Sequence, residues 1–179
     1  MGNKSWATGE MNPPALRAMV IGFGNLLLKD EGVGVHLARY LEREGLPPGV
    51  EVQEGGTSAL DLFLGLEAEG KWEEVRRLVI LDALDPQAGG HLFSGGLSPG
   101  QALVLERKDL EGTRSGAGVL SLHDLDLAFA LTFLPRQVEV TIVAIVPQDP
   151  YSWGMGLTPE LDSALPSLAQ LCRKLLLNP

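Results

Sequence analysis

Short apolar runs alternate with amphipathic stretches along most of the chain. Met19-Val-Ile-Gly-Phe23 is uniformly apolar and closed by glycines, which suits a buried strand over about 18–23 better than a helix of ordinary length. From Asp30 to Glu44, Val33, Leu37 and Leu41 recur at four-residue spacing, with Arg39, Glu42 and Glu44 between them. That spacing predicts an amphipathic helix, N-capped by Asp30 and stopped by Gly45. Val50–Gln53 reads as a second strand, Gly55-Gly56-Thr57 as a turn, and Ser58–Leu66 as a helix capped by Thr57 or Ser58. Leu78-Val-Ile-Leu81 is a third strand, ending at Asp82. Strands that alternate with helices imply a parallel sheet covered on both faces.

The pattern changes after Ala83. Pro86, Gly89, Gly90, Gly95, Gly96, Pro99 and Gly100 leave no room for a crossover helix, so a strand at Ala102–Glu106 is expected to run antiparallel at an edge. Residues 108–118 read as a polar, glycine-bearing loop, followed by a helix at Leu122–Leu134 and a strong strand at Val138–Val146. Thr158-Pro159-Glu160 opens a last helix with Leu161, Leu165, Leu168, Cys172 and Leu175 on one stripe, which Pro166 is expected to kink or divide. Residues 1–18 show neither helical nor strand periodicity and contain Pro13-Pro14, so they read as a flexible lead-in to one domain over 19–179. The expected fold is a single α/β domain: a central, mostly parallel twisted sheet of about five strands, helices on both faces, and one antiparallel edge strand.

Composition removes several classes. A chain of 179 residues that is 45% hydrophobic and 21% charged is globular rather than disordered. With 14 Lys+Arg against 23 Asp+Glu, the net charge of −9 argues against nucleic acid as a partner, since phosphate binding needs clustered cations. No apolar run approaches the ~18 residues of a membrane span, and residues 1–18 lack the apolar core of a secretory signal. A cytoplasmic protein with no membrane partner is expected. The one cysteine, Cys172, has no second cysteine for a disulfide or a metal pair and reads as a buried apolar filler.

In an open α/β sheet, ligands bind at the C-terminal strand ends. Gly22-Phe23-Gly24 after the first strand begins like a dinucleotide fingerprint, but Leu27 stands where its third glycine belongs, and Lys29 is followed by Asp30 rather than Ser or Thr. A tight turn explains these glycines without a phosphate. Asp30 as N-cap needs no further role, whereas Glu31, at the first helical position, has none of that kind and stands either as a ligand or as a solvated surface carboxylate. Asp82 lies at the mouth of a central strand, and Asp85 suits the turn before Pro86. Ser121-Leu122-His123-Asp124 is an approximate capping box that puts His123 in a first helical turn, where the helix dipole keeps imidazole neutral and able to ligate or to take a proton. His36 and His91 have no such context. Glu31, Asp82 and His123 occupy three separate βα connections. A doubly wound sheet brings these to one rim, and two carboxylates with one imidazole suit nickel, zinc or a similar ion.

Taken together, Gly22-Phe-Gly-Asn25, Leu27-Leu28-Lys-Asp30-Glu31-Gly32-Val-Gly34, Gly55-Gly56-Thr57, Leu81-Asp82-Ala83, Ser121-x-His123, Val146-Pro147 and Gly156-Leu-Thr-Pro159 resemble the maturation endopeptidases of nickel–iron hydrogenases. They occur in that family's order and cover about residues 19–177. The resemblance implies that Glu31, Asp82 and His123 are the metal-binding and catalytic residues. It further implies an enzyme that removes the C-terminal peptide of a hydrogenase large-subunit precursor after nickel insertion, recognising the nickel carried by that substrate. Another divalent ion such as zinc is expected to occupy the same donors in isolation. The chain departs from the family in residues 1–18, which makes Met19 a candidate natural start, and in Ala59, where the family often has glycine. No Ser–His–Asp or Cys–His arrangement emerges, so the choices for hydrolysis are a metal-held water with a carboxylate base, or a trio that only grips substrate-bound nickel. Two other classes remain open at this level: a nucleotide- or anion-binding module, and a nickel chaperone without proteolysis.

Overall fold

An apolar run such as Leu78–Leu81 can be buried on both faces only in the middle of a covered sheet, and that is where it lies. The structure, a computed structural model, describes residues 18–84, 96–111, 127 and 129–177. Its strands are β1 (Ala18–Phe23), β2 (Val50–Gly56), β3 (Arg77–Ala83), β4 (Ala102–Glu106) and β5 (Glu139–Ile145), in the spatial order β2-β1-β3-β5-β4. All neighbours are parallel except β4, which pairs antiparallel with β5 at the edge. The expected mixed sheet, with β3 at its centre, is thus observed. The lead-in lies outside the described residues but for Ala18, which opens β1.

Side chains alternate across the sheet as a strand requires. On one face, Val20, Val79, Leu81, Val143 and Ile145 pack under helix α1 (Val33–Glu44) and the last helix, α4 (Pro159–Leu177). On the other, Met19, Ile21, Leu78, Ile80 and Ile142 pack under α2 (Ala59–Ala68), the short turn carrying Trp72, and Leu127, Ala130, Leu131 and Leu134. Ser58, not Thr57, caps α2, its side chain accepting from Asp61 N at 3.3 Å.

Several boundaries differ from the sequence reading. β2 runs through Gly55 and Gly56 instead of turning there, because β1 continues to pair with it past a register shift at Gly22/Phe23. The polar stretch read as a loop from 108 begins as a five-residue helix, α3 (Arg107–Glu111), its start held by Asp109, whose carboxylate accepts from Glu106 N at 2.8 Å. Of the helix expected over 122–134, residues 127, 129 and 130 are helical and Leu131–Phe133 is a 3-10 turn. Pro166 does not divide the last helix, which continues from Pro159 to Leu177. Pro166 is exposed, so the carbonyl it leaves unpaired faces water, while Leu161, Leu165, Leu168 and Cys172 anchor both halves in the core.

Glycines set the distance between α1 and the sheet. A Cβ on Gly34 would stand 2.2 Å from Leu81 O and 2.4 Å from Phe23 O, so the start of α1 rests directly on the ends of β1 and β3. Gly34→Ala is expected to destabilise the fold by about 1–3 kcal/mol or more, because backbone rather than a flexible side chain must yield. A melting temperature equal to the parent's would contradict this contact.

Candidate active site

The segment between β1 and α1 carries Glu31, one of the three candidate residues. α1 begins at Val33 and has Gly32, without a side-chain cap, at its N-cap. Lys29–Gly32 before it is a 3-10 turn. This corrects the reading of Asp30 as N-cap and of Glu31 as the first residue of that helix: both lie in the 3-10 turn, and α1 starts only after Gly32.

Asp30 serves a different purpose. Its carboxylate is fully buried and accepts from Thr158 N at 2.7 Å through Oδ1, and through Oδ2 from Gln148 N at 3.0 Å, Asp149 N at 2.9 Å and the Thr158 hydroxyl at 2.8 Å. One charge therefore organises the loop after β5 and the start of α4, since charge-assisted bonds to amides satisfy a carboxylate that water cannot reach. Lys29, in the left-handed region at φ 45°, pairs with Asp149 at 2.7 Å and holds that carboxyl down at about 2.

Glu31 is half-buried and accepts from Asn25 N through Oε2. The Lys29–Gly32 turn that bears it packs against β3. Asp82, 4% exposed, is the penultimate residue of β3, and its Oδ1 accepts from Ala83 N at 2.8 Å. Gly22 pairs with Leu81 in register, so Glu31 and Asp82 stand at the same, C-terminal edge of two neighbouring parallel strands. His123 lies outside the described residues, as do Asp85 and His91. Asp82 shares the sheet face of Leu78 and Ile80, the face on which Leu127, Ala130, Leu131 and Leu134 pack. Among the described residues no group of three His, Cys, Asp or Glu side chains forms a metal cluster. The two carboxylates supply hard oxygen donors of the kind a divalent ion takes.

The amides of this loop are nearly all committed. Gly24 N donates to Gly56 O at 2.8 Å, Asn25 N to Glu31, Leu27 N to Asn25 Oδ1 at 3.0 Å, Leu28 N to Asn25 O at 3.1 Å, and Lys29 N to Gly154 O at 2.9 Å. Asp30 N and Glu31 N donate to Asp149 O and Leu28 O. A phosphate-binding loop leaves such amides open for its ligand, and here a protein carboxylate takes one instead. A Cβ on Gly24 would lie 2.1 Å from Glu31 O, which shows the glycine serving chain packing. The nucleotide reading has no cradle in this loop. Sequence reasoning missed Asn25 as the residue that holds the turn, although its bond to Leu27 N is a local one of the kind Asn makes in turns, and Thr158 as a partner of Asp30, which only the placement of loops distant in sequence reveals.

The family model described as hydrogenase maturation protease matches residues 35–174. The chain belongs to the hydrogenase maturation protease family. Its members are peptide hydrolases, and this chain is an enzyme of that class. It is 33% identical over 165 residues to the hydrogenase expression/formation protein HupD of Bradyrhizobium diazoefficiens, covering 89% of this chain and 78% of that protein. To the hydrogenase 2 maturation protease of Escherichia coli it is 32% identical over 164 residues, covering 87% and 88%. The hydrogenase maturating endopeptidase HybD from E. coli superposes with a TM-score of 0.68 at 27% identity, covering 89% of this chain and 91% of that one. HybD from Thermococcus kodakarensis gives 0.64 at 25%, covering 89% and 98%. Within this protease the lone thiol is not poised for attack: burial pushes Cys172 up to about 12, leaving it protonated near neutrality. Iodoacetamide at pH 8 is expected to leave the folded chain unmodified by mass and fully active; rapid alkylation would contradict the buried placement.

Proposed function

We propose that this protease removes the C-terminal peptide of a nickel–iron hydrogenase large-subunit precursor in the cytoplasm, after nickel insertion, and that Glu31, Asp82 and His123 bind the nickel carried by the substrate. Family membership supports the reaction class, and the placement of the Glu31 and Asp82 carboxylates at one strand edge is the observation that carries the site. No helix among the described residues is long and apolar enough to cross a membrane.

Hydrolysis requires a base near the scissile carbonyl. Water must lose a proton as its oxygen bonds to the carbonyl carbon, and the departing amine must gain one as the C–N bond breaks. In this reading the proton carrier is a carboxylate at this rim or His123, and Cys172, buried in the core, takes no part. Nickel in the precursor would draw the segment to these donors and confine cutting to loaded substrate. In isolation the same donors would take zinc.

The test is incubation of the full chain with nickel-loaded and nickel-free precursor, read by mass spectrometry. Shortening of the loaded precursor is expected. Shortening of neither overturns the reading, and nickel uptake without any cleavage would indicate a chaperone.

A further inference from the structure

Four large apolar side chains remain in water beside the turn that carries Glu31: Leu27 is 50% exposed, Tyr151 57%, Trp153 80% and Met155 84%. Their grouping has a structural cause. Leu28 and Gly154 form a parallel bridge, with Lys29 N donating to Gly154 O and Gly154 N to Leu27 O, each at 2.9 Å. Leu27 and the Trp153–Met155 segment therefore lie side by side in a short ribbon joined at this single bridge. Behind the ribbon, the Asp30 carboxylate and the Lys29–Asp149 pair fasten the same loop. These side chains are thus displayed from an anchored platform.

The core does not use them; its buried tryptophan is Trp72, whose Nε1 donates to Phe63 O at 3.2 Å. Contiguous apolar exposure of this kind marks an interaction surface, Trp and Tyr are the residues that dominate binding energy, and Met adapts to varied contours. We infer that the ribbon of Leu27, Tyr151, Trp153 and Met155 docks an apolar segment of the precursor next to its scissile peptide. This deepens the proposed function and rests on it. Continuity selects the occupant: Gly154 O accepts from Lys29 N, in the same short turn as Glu31, so a substrate engaged at Glu31 lies against the ribbon. On a chain of net charge −9, apolar contact supplies affinity that an acidic rim does not.

The test compares the parent with the Trp153→Ala/Met155→Ala double variant on nickel-loaded precursor. KM is expected to rise roughly 10-fold or more with kcat changed by less than about twofold, the signature of lost ground-state binding, while Trp153→Phe stays near the parent. Binding is also measured without turnover, by calorimetry on nickel-loaded precursor whose scissile peptide bond is made uncleavable, where the double substitution is expected to weaken Kd by about the same factor. Unchanged KM and Kd in a variant that melts like the parent overturns the inference. So does a dimer in sedimentation that the double variant splits without affecting precursor binding, because the ribbon would then face a second copy. If the parent itself cuts nothing, the proposed reaction falls, and the calorimetric arm still decides whether the ribbon binds precursor.

Discussion

Glu31→Gln and Asp82→Asn are each expected to lower cleavage of the nickel-loaded precursor by at least about 100-fold, beyond the roughly 10–100-fold that loss of a supporting partner at a metal site costs. Each substitution keeps its side chain's size and one acceptor oxygen. The glutamine of the first variant can still accept from Asn25 N, and the asparagine of the second from Ala83 N, so the local fold is preserved. What disappears is the negative charge that the proposed function assigns to binding the substrate's ion. Circular dichroism and melting should therefore follow the parent while activity collapses. His123→Ala is expected to do the same, and His36→Ala is expected to retain cleavage, because His36 lies on α1, half-buried on the side of α4. Full activity in Glu31→Gln or Asp82→Asn would defeat the site.

Asp30→Asn should give the opposite pattern, a loss of stability first and of activity only as its consequence. The parent carboxylate offers two acceptor oxygens to three backbone amides and one hydroxyl. An amide at this position turns one oxygen into a donor facing other donors, leaving one or two buried N–H groups unpaired at about 1–3 kcal/mol each. For a domain of this length, a loss of about 3 kcal/mol lowers the melting temperature by on the order of 10 °C. Differential scanning calorimetry reads this directly, and a melting temperature within a degree of the parent's would show that the buried carboxylate does not organise the loop. Asp149→Asn tests the half-buried counterpart. With the folded carboxyl held at about 2 by Lys29, its contribution is present above the ordinary carboxylate range near 4 and fades as pH falls toward 2, so the variant should flatten stability in that window.

The five strands and the helices α1, α2 and α4 are legible along the chain, because burial on two faces forces continuous apolar runs and one-sided packing forces a four-residue stripe. Leu78–Leu81 and the Val33–Leu41 spacing carry that information locally. The Gly- and Pro-rich stretch after Ala83 likewise foretold an antiparallel edge, since a parallel neighbour needs a long crossover. Position along the chain also marked Glu31 and Asp82 as strand-end carboxylates. What each carboxylate does was decided only in three dimensions. Asp30 and Glu31 are adjacent and equally acidic in sequence, yet one is buried under residues 148–158 and the other faces the strand edge, a distinction made by contacts more than a hundred residues apart. The same applies to Pro166, which an isolated helix would break at, but which here sits on the solvent face of a helix held in the core on both sides. Local propensity reports what a residue prefers; which polar groups it must satisfy depends on the loops that tertiary packing brings to it.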